Sequence, residues 1–88
     1  MAEKNLTTLI NESLREQGLK PSTFYRRLRE EGVGLTEQAV DAWRKGTIVG
    51  DAHREALSRV LSLPLAEIQR AASVQARQRM RSRRRSAT

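Results

Sequence analysis

The sequence lacks the residues on which several classes of protein depend. It has no cysteine and a single histidine, His53, so it offers no disulfide, no thiol nucleophile and no Cys/His zinc cluster. Three aromatic residues and few β-branched ones argue against a β-sheet. No apolar run is long enough for a membrane span or for a signal peptide. We therefore expect a small cytoplasmic protein that is not an enzyme and that binds no metal, cofactor or small-molecule substrate, with His53 exposed and inert.

The net positive charge of the chain is confined to its C-terminal end. The 88 residues carry a net charge of +7. Residues 1–68 hold ten basic and ten acidic residues, whereas residues 69–88 hold seven arginines and no acid. This division predicts a near-neutral domain over residues 1–68 and an Arg-rich helix extension or tail over residues 69–88.

Apolar residues at helical spacing, interrupted by glycine and proline, predict an all-α fold of five short helices. Gly18 is placed to end the first helix, Pro21 to begin the second, and Thr36 to cap a third that Gly46 ends. Gly50 precedes the fourth and Pro64 the fifth. The apolar residues are, helix by helix, Leu6, Leu9, Ile10 and Leu14; Phe24 and Leu28; Val40 and Trp43; Ala56, Leu57, Val60 and Leu61; Leu65, Ile68 and Ala72.

The second and third helices, separated by a short turn and followed by two more, have the order found in helix-turn-helix proteins. On the segments 18–21, 32–33, 36–46 and 56–68, the chain resembles the Cro/C1-type (XRE) family, which has a lambda repressor-like domain. The resemblance covers about residues 6–68. Three features depart from the family pattern: Tyr25 replaces a small alanine, extra residues lengthen the turn before Thr36, and Arg44 replaces a common glutamate.

The resemblance implies that residues 36–45 form a recognition helix in the DNA major groove. At about 100° per residue, Val40, Thr36, Ala39 and Trp43 face inward and Gln38, Asp41, Ala42 and Lys45 face outward, with Glu37 and Arg44 at the sides of the outward face. The candidate DNA-binding residues of this segment are Thr36, Glu37, Gln38, Asp41, Ala42, Arg44 and Lys45. Gln38 can pair with adenine, Ala42 can touch a thymine methyl group, and Asp41 can accept from the cytosine amino group. The simpler interpretations are that Trp43 is a core residue and that Gln38 and Asp41 are ordinary solvated surface.

Phosphate contacts are expected from the second helix, which in this family lies across the DNA backbone. Its first turn supplies Lys20, Ser22 and Thr23, and Arg26, Arg27 and Arg29 point away from the apolar face. The alternative for these arginines is a network of ion pairs with Glu30 and Glu31 four residues further on.

The C-terminal extension has three interpretations. Its arginines can form a phosphate-binding arm that adds affinity and salt dependence without sequence choice. The extension can instead be a disordered, solubilising end, or it can continue the fifth helix toward Met80. In the last case Leu65, Ile68 and Ala72 form a strip that pairs two copies into a homodimer, as is common in the family. The arginines of the arm are Arg77, Arg79, Arg81, Arg83, Arg84 and Arg85.

Taken together, these features predict a sequence-specific double-stranded DNA-binding transcriptional regulator of prokaryotic or phage type, with repression the expected sign and a nucleoid-associated location. The alternative is a small adaptor or nucleoid-type protein. In that case the helical domain binds a protein partner and the arginine tail binds nucleic acid.

Overall fold

The computed structural model describes residues 4–86, with the side chains of residues 4–80. Five helices follow one another: α1 (Leu6–Gln17), α2 (Pro21–Glu30), α3 (Glu37–Trp43), α4 (Asp51–Leu61) and α5 (Leu65–Ser86). The described residues contain no strand, so the predicted all-α fold of five helices is confirmed. Over the same residues, no helix combines the length and the apolar character that crossing a membrane requires.

All five helices contribute to one hydrophobic core. From α3, Val40 and Trp43 are 2% and 3% exposed, which confirms that Trp43 is a core residue. The Trp43 ring lies 5.9 Å from the ring of His53, and His53 is half-buried rather than exposed as the sequence suggested. The side chains with no exposed surface are Leu6, Ile10, Phe24, Leu28, Val49, Leu57, Leu61 and Ile68.

The caps of α3 follow the sequence prediction at one end and differ at the other. The Thr36 hydroxyl accepts from the Ala39 amide at 3.2 Å, so Thr36 is the predicted N-cap. The helix ends at Trp43, three residues before Gly46, because two later backbone amides fold back onto the Ala42 carbonyl at 3.0 Å and form a turn. Gly46 has a φ of 120°, a conformation that a residue with a Cβ atom adopts only with strain.

Helix α5 lies partly in the core and partly beyond it. Ala71, Ala72, Val74 and Gln75 are all buried, whereas the side chains of residues 76–80 are exposed. The helix runs through residue 68 without a break. The packed part of the chain therefore reaches Gln75, and the arginine-rich extension continues from it as helix.

The predicted dimer strip is wrong for two of its three residues. Ile68 and Ala72 are 0% and 2% exposed, because this side of α5 closes the core of its own chain against α1 and α4. Only Leu65, at 40% exposed, lies on the surface. An apolar stripe in a sequence indicates that a helix face is covered, but not whether its own chain or a second copy covers it.

Replacing Ile68 with alanine is expected to lower the free energy of unfolding by about 2–5 kcal/mol, since it leaves a cavity in the core. The matched change Leu65→Ala, near the exposed start of the same helix, should cost less than about 1 kcal/mol. Urea denaturation followed by circular dichroism measures both. Equal effects of the two substitutions would contradict the packing of α5.

Candidate nucleic-acid interface

Helices α2 and α3 form a pair whose inner faces are buried and whose outer faces are open. Phe24 and Leu28 of α2 and Val40 and Trp43 of α3 turn into the core. The start of α2 and the outer side of α3 border one open groove of about 300 Å³. Its lining residues are Pro21, Phe24, Tyr25, Glu37, Gln38, Val40, Asp41 and Arg44. The predicted phosphate-binding end of α2 therefore lies next to the predicted reading face of α3.

Tyr25 of α2 is bonded to the turn that precedes α3. The Tyr25 hydroxyl donates to the backbone carbonyl of Leu35 in the turn, at 3.3 Å. Val33, earlier in the same turn, is 5% exposed and belongs to the core. A small residue at position 25 would have no group to reach this carbonyl. Tyr25 and this turn thus act as one feature, in which the side chain of Tyr25 bonds to the turn.

The C-terminal end of α3 is held by side chains from α1 and α5. The Thr7 hydroxyl donates to the Trp43 carbonyl at 3.1 Å, and the Asn11 amide donates to the Arg44 carbonyl at 3.0 Å. Carbonyls at the end of a helix have no partner within the helix, so they need such outside donors. These bonds fix the orientation of α3 on the rest of the domain.

Gln75 of α5 completes this anchor. Its Nε2 atom donates to the Gly46 carbonyl at 2.7 Å and to the Thr7 hydroxyl at 3.0 Å, and the residue is only 4% exposed. Thr7, Asn11 and Gln75 are not among the residues that the sequence predicted to be functional. Their signal in the sequence is weak, because they are simply polar residues at helical spacing, beside or within an apolar stripe.

The outer face of α3 carries the side chains that the sequence placed there. Gln38 and Lys45 are exposed, whereas Asp41 and Ala42 are half-buried. Among the flanking residues, Glu37 is exposed and Arg44 is half-buried. Thr36, expected to face inward, is exposed because its side chain caps the helix, and Ala39 is half-buried.

Asp41 is paired with both cations that follow it. Its Oδ1 atom lies 2.9 Å from Arg44 Nη1, and its Oδ2 atom lies 2.9 Å from Lys45 Nζ. The hydrogen bond from the Lys45 ammonium, together with the attraction of both cations, holds the pKa of Asp41 below its usual value against the opposing effect of desolvation. Both carboxylate oxygens therefore already accept from charged donors, which leaves Asp41 less available to a cytosine than the sequence suggested.

The first turn of α2 has backbone amides without a side-chain cap. Lys20 occupies the N-cap position and its side chain makes no capping bond, while Pro21 has no amide hydrogen to satisfy. Lys20 and Ser22 are exposed and Thr23 is half-buried. The amides of Ser22 and Thr23 thus point out of a helix end that carries partial positive charge.

The arginines of α2 do not form the alternative network of ion pairs. Arg26, Arg27 and Arg29 are exposed, and within the described residues none pairs with Glu30 or Glu31. Glu31 instead lies 3.4 Å from Arg59 of α4, and the guanidinium of Arg29 lies 5.9 Å above the Tyr25 ring.

Arg70, Arg77 and Arg79 of α5 are exposed. The side chains of Arg81, Arg83, Arg84 and Arg85 lie outside the described part of the structure, although residues 81–86 continue the helix. Among the described residues, no cluster of histidine and carboxylate side chains could hold a metal ion.

No protein-family model matches the chain, and neither a curated protein nor a solved structure matches it.

The anchor of α3 predicts a coupled loss of stability. Thr7→Val keeps the side-chain shape and removes the hydroxyl, so it should cost about 1–3 kcal/mol of unfolding free energy, and Gln75→Met should cost a similar amount. The double variant should lose less than the sum, because the two side chains share a bond.

Thr8→Val is the matched control, since Thr8 is exposed on the same helix. Its effect should stay within about 0.5 kcal/mol. Urea denaturation measures the free energy of unfolding of the two single variants, the double variant and the control. The anchor is refuted if Thr7→Val costs no more than Thr8→Val, or if the two losses simply add.

Proposed function

We propose that this protein is a sequence-specific double-stranded DNA-binding transcriptional regulator that represses its target genes. In this proposal α3 enters the major groove. The observation that carries the proposal is the shared groove between the uncapped start of α2 and the open face of α3. In helix-turn-helix proteins the second helix of the pair reads bases while the first contacts the backbone. Kinship with the Cro/C1-type family of prokaryotic and phage regulators is part of the same proposal.

The dimensions and side chains of α3 suit this role. An α-helix with its side chains is about 10–12 Å in diameter, and a major groove about 12 Å wide admits it. Gln38 lies exposed near its start, where it can bond to the two major-groove atoms of adenine. Ala42, one turn later, can contact a thymine methyl group. Lys45, just past the helix, is exposed and pairs with Asp41 at 2.9 Å.

Backbone contacts come from two other places. The free amides of Ser22 and Thr23, with Lys20 beside them, form a phosphate site at the start of α2. The exposed Arg26 lies one turn further along the same helix. Helix α5 adds a cationic extension that attracts phosphates of any sequence, since the excess charge of the chain lies after residue 68.

The base-reading role of Gln38 can be tested with sequences selected from a random duplex pool. The wild-type chain should enrich one motif, and Gln38→Ala should relax the preference at one base pair by about 1–3 kcal/mol. Gln78→Ala is the same change at an exposed residue of α5; it removes a hydrogen bond to Asn5 and no proposed base contact, so as the control it should leave the motif unaltered. Enrichment of no motif by the wild-type chain would contradict the proposal and favour a nucleoid-type protein.

The cationic extension should contribute affinity without sequence choice. Changing Arg83, Arg84 and Arg85 together to glutamine is expected to weaken binding to all duplexes alike. It should also lower the slope of log K against log salt by up to about 2.7, at about 0.9 for each phosphate that is no longer neutralised. The triple change to lysine keeps the charges and should keep the slope. An unchanged slope in the glutamine variant would exclude phosphate binding by these three arginines.

A further inference from the structure

We infer that Asp41 determines how strongly the recognition helix binds DNA of any sequence, by holding Arg44 and Lys45 away from phosphates, rather than by reading a base. The inference rests on the proposed function. It assigns to Asp41 a role different from the cytosine contact that its position on α3 suggested.

The geometry of the carboxylate supports this role. Each of its two oxygens is 2.9 Å from a different cation, Arg44 three residues later and Lys45 four residues later. The two cations are the only basic residues between Arg29 and Arg54 in the sequence, apart from His53. One acidic side chain thus pairs with both basic residues of α3 and the turn after it.

The neighbouring acid on the same helix differs from Asp41 in this respect. Glu37 is exposed and forms no ion pair with a described residue. Glu37 and Asp41 together balance Arg44 and Lys45, so the reading face is neutral overall. A neutral reading face gains little from nonspecific attraction to phosphates, which leaves base contacts and the cationic α5 extension to provide the affinity.

When the charge of Asp41 is removed, Arg44 and Lys45 lose the carboxylate that holds them. Their exposure then decides how readily each can turn to a phosphate. The side chain of Lys45 is 76% exposed and is not fixed by burial, whereas that of Arg44 is 30% exposed and has a buried Nε atom without a partner. Each cation that binds a phosphate releases condensed counterions. It thereby steepens the slope of log K against log salt by about 0.9. Removing the carboxylate charge should therefore be visible as a change in slope, which a purely structural role would not produce.

The decisive experiment compares Asp41→Asn with wild type in the full chain, on one duplex of random sequence and on the duplex that the wild type selects. Binding is measured over a series of salt concentrations on either side of about 0.1 M, where the phosphate term dominates the salt dependence. We expect Asp41→Asn to bind both duplexes about 3- to 30-fold more tightly at about 0.1 M salt. The slope should steepen by up to about 1.8, and the preferred base at every position should stay the same.

Two further variants separate the ion pairs from simple changes in net charge. Asp41→Glu keeps a carboxylate within reach of Lys45 and should retain the wild-type slope. Glu30 is an exposed residue at the end of α2. Glu30→Gln removes one negative charge there without releasing a cation, so it should leave the slope unchanged. Chemical denaturation of all variants establishes that each is folded under the binding conditions.

Two results would overturn the inference. One is an Asp41→Asn slope equal to that of wild type. The other is a new preferred base at a single position, which would mean that Asp41 reads that base. If the wild-type chain selects no sequence at all, the proposed function fails, but the slopes on the random duplex still decide the role of Asp41.

Discussion

The position of α3 depends on three hydrogen-bond donors that come from other helices. Thr7 and Asn11 of α1 and Gln75 of α5 donate to backbone carbonyls at or just beyond the end of α3. A helix of seven residues has little stability of its own, because isolated helices shorter than about 12 residues are marginal in water. Without these donors the part-buried carbonyls would lose these partners, and α3 would be held mainly by the packing of Val40 and Trp43.

The same donors connect the proposed reading face to the arginine-rich extension. Gln75 is the last buried residue of α5 within its described side chains, and exposed residues follow it directly. The residue that fixes the turn after α3 is therefore also the residue from which the basic part of α5 leaves the core. The net charge of +7 is attached to the domain through a helix that the core holds, so the proposed base reading and phosphate attraction belong to one unit.

The helices could be predicted from the sequence because their signals are local. Gly18, Pro21, Thr36 and Gly50 mark the ends of helices whatever packs against them, and each lies at the expected boundary. The burial of Trp43 follows from its place on the stripe with Val40. The outward positions of Gln38 and Lys45 follow from helix periodicity in the same way.

What the sequence could not reveal depends on contacts between distant segments. Ile68 and Ala72 form an apolar stripe that fits either a dimer or a core, and only the position of α5 against α1 and α4 decides between them. Gln75 is polar, so its burial could not be predicted without its partners on Thr7 and Gly46. The bond between Tyr25 and Leu35 likewise spans a turn whose path local spacing does not determine.

The most direct test of the account is a nuclear magnetic resonance titration of the ¹⁵N-labelled chain with a duplex selected from a random pool. If the helix pair reads DNA, backbone amide shifts should concentrate at the start of α2 and along α3, with smaller changes in the basic part of α5 and little change in α4. Shifts confined to residues 76–86, with α2 and α3 unaffected, would contradict the claim that the helix pair reads DNA.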